Sequence, residues 1–346
     1  MKAKVCIIGH FGKNETLLNG QTVKTKIITE ELQNQIGADE IIKIDTYGGL
    51  KTLLKAPFQA FSSLKRSKNV IIFPAQNGLR IFAPLLAFFR RFFKNRKLHY
   101  VVIGGWLPEF LSGRKRLAKA LKSFDAIYVE TNTMKASLEA QEFGNIYVMP
   151  NCKKLTVLSE DELVYPDSMP YKLCTFSRVM KEKGIEDAVN AVKAVNEELG
   201  YQAYSLDIYG QIDSAQVEWF DELKKTFPDY ISYGGCVPYY KSVEDLKNYF
   251  ALLFHTYYKG EGFAGTLIDA FSAGVPVIAS DWKYNSEIVN EAVGFVYPCG
   301  DQIALAEILK TVAEDATMLL CKKRFCLIET GKYKVNNVVR VLHEKI

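Results

Sequence analysis

This 346-residue sequence lacks the marks of several common protein classes. No apolar run approaches the roughly 20 residues that a membrane-spanning helix needs. The N-terminal stretch MKAKVCIIGHFG has an apolar run of only four residues, so it predicts a buried strand rather than a signal peptide. The seven cysteines are scattered and include no CxxC pair. Cys6 and Cys174 lie inside apolar runs, which indicates reduced, mostly buried thiols in a cytosolic protein.

Sequence motifs for common cofactors are also missing. The first turn, GHFGKNE, contains no GxGxxG, which disfavours a dinucleotide-dependent oxidoreductase. No DxD motif occurs, and no metal-ligand spacing links the four histidines. We therefore expect neither a bound metal nor another cofactor. His10 and His255 each follow a predicted strand; a structural role is the commoner one for such residues, and His10 is the better candidate for a ligand contact.

Charge is distributed unevenly along the chain. Residues 1–155 hold 25 Lys and Arg against 11 Asp and Glu, a net charge of +14. The remainder holds 19 against 28, a net charge of −9. A basic first half indicates that this half meets an anionic surface, either phospholipid or nucleic acid. Nucleic acid is the poorer candidate, because no binding module is recognisable and the aromatic residues are grouped in one block.

That aromatic block is GLRIFAPLLAFFRRFFKNRKLHY (78–100), in the basic half. A stripe of leucines and phenylalanines merges into a run of basic residues, and a second basic segment, SGRKRLAKALKS, follows at 112–123. Basic amphipathic segments with aromatics lie in the interface of anionic membranes. The alternative is a core helix with a solvated end, and the charge of this half favours the membrane. The residues predicted to face the membrane are Phe89, Arg90, Arg91, Phe92, Phe93, Lys94, Arg114, Lys115 and Arg116.

Short apolar runs alternate with longer amphipathic segments six times in each half of the chain. Runs bounded by glycine, without alternation, are typical of strands covered on both faces. The pattern predicts an α/β protein with two doubly wound parallel sheets, that is, two Rossmann-like domains facing a cleft. Segment 151–170, with two prolines and an acidic cluster, is the predicted linker. We expect residues 1–155 to form the first domain, 156–331 the second, and a helix near 332–346 to pack back on the first.

The stretch KGEGFAGTLIDAFSAGVPVIAS (259–280) is the clearest candidate site. Its pattern predicts a glycine-rich loop after a strand, then a helix closed by Gly274. Glycines let the backbone approach a ligand, and a helix start offers unpaired N–H groups to an anion. Glu261 in the loop and Asp269 one turn into the helix are placed to touch two ends of one extended ligand. The alternative for this stretch alone is a glycine-rich turn with an incidental surface acid.

A second stretch, TFSRVMKEKGIEDAV (175–189), places two cations between a strand and a helix. Arg178 can grip a diphosphate bidentately, and Lys183 can supply a point charge to it. An Arg and a Lys beside a helix are, taken alone, more often a solvated face.

Together the two stretches resemble the retaining GT-B glycosyltransferases, the large group that includes bacterial glycogen synthases, sucrose synthases and phosphatidylinositol mannosyltransferases. The resemblance covers nearly all of the second half; in the first half it rests on strand pattern and on the loop NGQTVKTK after strand one. It implies that Arg178 and Lys183 bind the donor diphosphate and that Glu261 lies near the transferred sugar. It also implies donor contacts at Gly262, Phe263, Ala264, Gly265, Thr266, Asp269 at the ribose, Cys236 and Val237 beside the base, and Gly20, Gln21 and Thr22 over the phosphates or sugar.

The sequence departs from the family pattern at two points. Asp269 stands where the family usually has Glu, and GQT replaces the usual glycine pair in the first domain. The first-domain histidine common in the family has no clear counterpart, which leaves His10 and Trp106 as candidates for the acceptor side. Retaining members are thought to react on one face of the sugar, with the donor phosphate helping to deprotonate the acceptor. No protein nucleophile or metal is then required, because fixed cations stabilise the leaving phosphate.

These observations predict a bacterial, cytoplasmic glycosyltransferase that is bound peripherally to the inner face of the cytoplasmic membrane. It would move a sugar from a nucleotide donor, with UDP favoured, to a lipid-linked sugar in surface-polysaccharide synthesis. The alternatives are transfer to a soluble acceptor and a non-catalytic, membrane-associated scaffold that binds nucleotide sugars.

Overall fold

The computed structural model describes residues 3–12, 20–48 and 54–346. The chain divides into two compact units, each with its own core. Unit 1 comprises Met1–Lys154 and Tyr333–Ile346, and unit 2 comprises Leu155–Lys332. The domain ends predicted at residues 155 and 331 each lie one residue from these divisions.

Unit 1 is built on a six-stranded parallel sheet. Its strands are Ala3–Gly9 (β1), Ile41–Asp45 (β2), Ser67–Ile72 (β3), Lys97–Val101 (β4), Ala126–Val129 (β5) and Ile146–Val148 (β6). Their order is β2-β1-β3-β4-β5-β6, and Val5 of β1 lies opposite Ile41 and Asn69. The strand order reverses between β1 and β3, where ligands of such sheets bind beyond the carboxyl ends of the strands.

Unit 2 holds the second six-stranded parallel sheet. Its strands are Tyr171–Phe176 (β7), Tyr204–Tyr209 (β8), Ile231–Gly235 (β9), Ala251–Phe254 (β10), Val277–Asp281 (β11) and Gly294–Pro298 (β12). The order β12-β11-β10-β7-β8-β9 reverses between β7 and β10. Two doubly wound parallel sheets confirm the fold class expected from the alternating apolar runs.

Helices alternate with the strands throughout the described chain. They are Gly20–Ile36 (α1), Ala56–Arg66 (α2), Gln76–Phe89 (α3), Leu107–Leu111 (α4), Lys115–Lys122 (α5), Asn132–Glu139 (α6), Ile185–Leu199 (α7), Val217–Lys224 (α8), Ser242–Leu246 (α9), Gly265–Ser272 (α10), Asn285–Ile288 (α11), Gln302–Glu314 (α12), Thr317–Leu320 (α13), Lys323–Thr330 (α14) and Val335–His343 (α15). The last helix contacts α1, and its Val338 and Leu342 share a buried cluster with Ile28 and Leu32. The C-terminal segment thus belongs to the core of unit 1.

One local expectation needs correction. The stretch NGQTVKTK is expected to be a loop, but Gly20 begins a 17-residue helix, and Asn19 lies outside the described residues. The predicted linker 151–170 contains the division between the units, since Lys154 ends the first segment of unit 1 and Leu155 begins unit 2. Within it Leu158 is buried, and its N–H donates to the Ser272 carbonyl at 3.0 Å. The contact between Leu158 and the distant end of α10 leaves no signal in the local sequence.

Candidate functional site

The best-defined candidate site of unit 2 lies where β7 and β10 end, at the reversal of strand order. The loop after β7 carries Arg178 and Lys183, and the loop after β10 carries Glu261. Gly184 joins the two loops, since its φ of +67° is left-handed and an added Cβ would overlap the His255 carbonyl oxygen. Only glycine allows this approach without strain. The contact fixes the start of α7 against the end of β10.

Lys183 and Glu261 form an ion pair at this junction. Glu261 is 7% exposed, and the Thr256 hydroxyl lies 2.7 Å from the same carboxylate oxygen, Oε2, that the lysine contacts. The rings of Tyr258 and Phe254 lie 5.3 and 5.8 Å from the Lys183 ammonium, within cation–π range. The sequence placed Lys183 and Glu261 in one site but did not predict that they pair, and it missed Thr256 altogether.

Arg178 lies apart from that ion pair. Its side chain is exposed, and Nη1 is 3.6 Å from the Asp213 carboxylate. Within the described chain no contact joins Arg178 to Lys183 or to Glu261. The two cations predicted to share a diphosphate thus have separate carboxylate partners.

Asp269 is 2% exposed, in the second turn of α10. The Ser242 hydroxyl lies 3.1 Å from its Oδ1. Ser242 begins α9, just after the predicted base turn that holds Cys236 and Val237. Asp269 and that turn are therefore tied together through Ser242, a residue whose role leaves no mark in the local sequence. Ser242 contacts Asp269, whereas Lys183 and Thr256 contact Glu261.

The glycine-rich turn leads directly into α10, as predicted. Gly262 and Phe263 are buried, whereas Ala264 and Gly265 are partly exposed. Thr266 Oγ1 is buried and has no hydrogen-bond partner among the described residues. The first N–H groups of a helix are suited to an anionic or hydroxylated ligand.

His255 has the structural role that is the commoner one for such a residue. It is buried, and its Nδ1 lies 2.5 Å from the Tyr297 hydroxyl. Burial lowers the pKa of His255 to about 3, so the imidazole is neutral at physiological pH. It packs the base of the site and carries no charge toward a ligand.

A smaller polar cluster lies at the reversal point of unit 1. His10 follows β1, and its Nδ1 is 2.7 Å from Thr22 Oγ1. Gln21 donates to the Phe73 carbonyl beyond β3 at 3.3 Å. Thr22 is fully buried, so its side chain is not presented for contact with phosphates. Gly20, by contrast, is exposed at the start of α1.

Two further features of unit 1 bear on the predicted acceptor side. A buried ion pair joins Lys24 of α1 to Glu130 after β5 at 2.6 Å, a long-range pairing that the sequence did not reveal. Trp106 is partly buried, donates from Nε1 to the Ile103 carbonyl and packs edge-on against Phe110. Trp106 is thus held in place by unit 1 itself.

The predicted membrane-facing residues form a mixed aromatic and basic surface on unit 1. An open groove of about 820 Å³ lies between α3 and α5. Its walls include Phe88 and Phe93, and its cations are Arg90, Arg91, Lys94, Arg116 and Lys119. Phe89 packs against Phe61, and Phe92 is 67% exposed.

Two of the predicted cations also have partners within unit 1. Arg90 donates to the Ser123 carbonyl and pairs with Asp125. Arg114 donates to the Phe110 carbonyl, and its guanidinium lies 4.2 Å from that ring. Both arginines therefore also make contacts within unit 1. Lys115, at the start of α5, is exposed.

Helix α2 contributes aromatics that the sequence prediction missed. Phe58 and Phe61 are exposed, and Phe61 lies 5.2 Å from the ring of Phe93. The apolar surface thus extends beyond the 78–100 block, because α2 packs against α3. Among the described residues no helix is long and apolar enough to cross a bilayer.

The sequence comparisons point to one family. Residues 164–332 match the family model of the glycosyl transferases group 1. Over 202 residues the chain is 30% identical to the UDP-N-acetylglucosamine–peptide N-acetylglucosaminyltransferase GtfA subunit of Streptococcus gordonii, covering 55% of this chain and 38% of that relative. The chain spans between 36% and 44% of the lengths of the three curated relatives that it matches.

Solved structures extend the likeness to the whole chain. The lipopolysaccharide outer core galactosyltransferase WaaB is similar with a TM-score of 0.76 at 15% identity, covering 99% of this chain and 98% of WaaB. Anabaena HepE, solved in complex with UDP and glucose, is similar with a TM-score of 0.71 at 15% identity and the same coverage. At this identity the likeness establishes the fold. The chain therefore has the GT-B fold, and residues 164–332 of its second unit match the model of the glycosyl transferases group 1.

Proposed function

We propose that this protein transfers a sugar from a UDP-sugar to a lipid-linked saccharide at an anionic membrane surface. Transfer would be retaining and independent of metal, within bacterial surface-glycan synthesis on the cytoplasmic side of the membrane. The match of residues 164–332 to the glycosyl transferases group 1 supports the reaction type. The unit 2 site supports the donor, and the unit 1 surface supports the membrane.

The pairing of Lys183 with Glu261 carries the donor assignment. It places a cation and a carboxylate together where a parallel sheet binds its ligands, inside the segment that matches the family. The start of α10 lies a few residues further along the same loop. A phosphate at that helix start would gain from the helix dipole and from the lysine. UDP is favoured because S. gordonii GtfA is named for a UDP-sugar and HepE was solved with UDP.

The proposed reaction requires positioning rather than a protein nucleophile. The bond from the anomeric carbon to the donor phosphate oxygen breaks, and the acceptor hydroxyl oxygen forms its bond on the same face of the sugar. The acceptor proton passes to the leaving phosphate oxygen of UDP. This proton offsets the negative charge that breaking the bond places on that oxygen. Lys183 and Arg178 would stabilise the charge that develops on this phosphate, the kind of fixed electrostatics that lowers such barriers most.

The membrane assignment rests on charge complementarity. Arg91, Lys94, Arg116 and Lys119 line the groove, and none has a carboxylate partner within the described chain. Cations that no protein carboxylate neutralises attract anionic lipid headgroups. Exposed phenylalanines beside the groove can enter the lipid interface. At ~1 kcal/mol for each near-surface cation, four of them would strengthen binding to an anionic membrane by about 4 kcal/mol.

A donor screen tests the catalytic proposal. Purified protein is mixed with UDP-glucose, UDP-galactose or UDP-N-acetylglucosamine, and both thermal stabilisation and slow UDP release to water are measured. We expect at least one UDP-sugar to stabilise the protein and to be turned over, with Glu261→Gln abolishing turnover while UDP still binds. Binding without turnover by the wild type would favour the non-catalytic scaffold. NMR of the product's anomeric proton decides whether transfer is retaining.

Vesicle co-sedimentation tests the membrane proposal. The double variant Arg91→Ser/Lys94→Ser should bind phosphatidylglycerol vesicles about 30-fold more weakly, since ~1 kcal/mol is lost for each cation. Lys43→Ser/Lys68→Ser removes the same charge from exposed positions outside the groove and should change binding much less. Arg90 is left intact because it holds Asp125. Equal loss in both variants would show a non-specific charge effect, and no loss in either would favour a soluble acceptor.

A further inference from the structure

We propose that Thr256 is a positioning residue that orients the Glu261 carboxylate toward the sugar of the donor. The inference rests on the proposed function and adds a residue that neither the sequence motifs nor the family likeness assigns. Thr256 is fully buried two residues after β10, so it has no ligand contact of its own.

The direction of the Thr256 hydrogen bonds follows from its neighbours. The Tyr258 N–H donates to Thr256 Oγ1 at 3.2 Å, which occupies a lone pair of the hydroxyl. Glu261 Oε2, 2.7 Å from Oγ1, also pairs with Lys183, so it belongs to an ionised carboxylate and can only accept. The single hydroxyl proton of Thr256 therefore points at Glu261. The more distant Glu182 carbonyl, at 3.3 Å, is the weaker acceptor.

Thr256 is itself held by the neighbouring strand. Its carbonyl oxygen accepts from the Ser280 hydroxyl of β11 at 2.8 Å. The Ser280 carbonyl in turn accepts from the Asn285 side chain at 3.0 Å, and both of these residues are fully buried. A side chain anchored through two adjacent strands can fix the direction of a carboxylate on a glycine-rich loop.

The two contacts of Glu261 fall on one oxygen. Lys183 and Thr256 both donate to Oε2, and in the described part of the chain Oε1 accepts no hydrogen bond. Oε1 is thus the oxygen left to accept from a sugar hydroxyl. Without the threonine hydroxyl, only Lys183 would orient the carboxylate, and the contact with the sugar would weaken. The nucleotide would be unaffected because Thr256 does not reach it.

Two variants separate positioning from a general structural role. Thr256→Val keeps the shape and removes the hydroxyl, whereas Thr256→Ser keeps the hydroxyl and removes a methyl group. We measure UDP affinity by calorimetry, and kcat and KM for UDP release from whichever of UDP-glucose, UDP-galactose and UDP-N-acetylglucosamine the wild type accepts. Loss of a hydrogen bond to a charged group predicts about a 10- to 100-fold fall in kcat/KM for Thr256→Val. UDP affinity should stay within about twofold of the wild type, and Thr256→Ser should recover most of the rate.

The outcomes are distinct. Wild-type kcat/KM in Thr256→Val would overturn the inference, and so would an equal loss of UDP affinity in both variants. If the wild type binds and releases no UDP-sugar, the proposed function fails instead. The crystal structure of Thr256→Val then still decides the positioning role: an unmoved Glu261 carboxylate refutes it, and a rotated one supports it.

Discussion

Lys323 offers a quantitative test of how unit 2 is stabilised. It lies in α14 with 0% of its surface exposed, and its ammonium donates to the Tyr249 carbonyl at 3.3 Å. No carboxylate pairs with it within the described residues. Burial lowers the pKa of Lys323 from 10.5 to about 8, because the charged form has lost its water. Replacing it by methionine keeps the unbranched stem and removes the buried charge.

The size and sign of the effect follow from that pKa. The fall from 10.5 to about 8 between the unfolded and folded chain corresponds to about 3 kcal/mol. Between pH 8 and pH 10.5 the unfolded chain binds more protons than the folded one, so stability rises with pH in this window. Below pH 8 both forms are protonated and the full penalty is present. Lys323→Met should thus be more stable than the wild type at pH 7 by about 3 kcal/mol, and this advantage should vanish near pH 10.5.

Urea unfolding measures this difference. In a Trp106→Phe background the two remaining tryptophans, Trp219 and Trp282, both lie in unit 2 and report its unfolding. The effect of Lys323→Met on the free energy of unfolding is followed in this background from pH 7 to pH 10.5, with Lys225→Met as an exposed-lysine control. A pH-independent effect, or one equal to that of the control, would refute the assignment of a destabilised buried ammonium.

Three further outcomes are expected. Asp269→Asn should weaken UDP binding by about tenfold, as loss of a charged hydrogen bond to the ribose predicts; unchanged calorimetric affinity would remove Asp269 from the donor site. Transfer should continue undiminished in EDTA, and activity restored only by a divalent ion would contradict the metal-free proposal. Gly184→Ala should lower the free energy of unfolding of unit 2, measured in urea, by more than about 2 kcal/mol. The left-handed backbone and the close approach to the His255 carbonyl leave no room for a methyl group. A fully stable variant would disprove that close contact.

Much of the fold was predictable because its signals are local. Buried strands appear in the sequence as short apolar runs bounded by glycine. Such runs predicted all twelve strands of the two sheets. The helix-ending role of Gly274 was equally local, since its φ of +62° is a left-handed cap conformation. The positions of Arg178, Lys183 and Glu261 in the loops after β7 and β10 were predictable as well, because the strands before them are marked by local apolar runs.

Partnerships between distant residues were not predictable. The Thr256 hydroxyl and the Ser242–Asp269 contact depend on how loops from different strands meet, and nothing in their local sequence marks them. Arg90 and Arg114 were assigned to the membrane from the pattern of basic and aromatic residues, which does not show that each has a partner within unit 1. Composition counts charges and does not show which of them the fold has already neutralised.

The order of residues along the chain was enough to establish the alternation of strands and helices, the family-like stretches of the second half, and the basic character of the first. Side-chain periodicity and glycine placement are properties of neighbouring residues, so they can be recognised from the sequence alone. The folded arrangement was needed to show that Lys183 meets Glu261 across 78 positions and that Phe61 joins the aromatic surface. Those contacts are set by strand order and helix packing, which bring remote segments together and have no counterpart in local sequence.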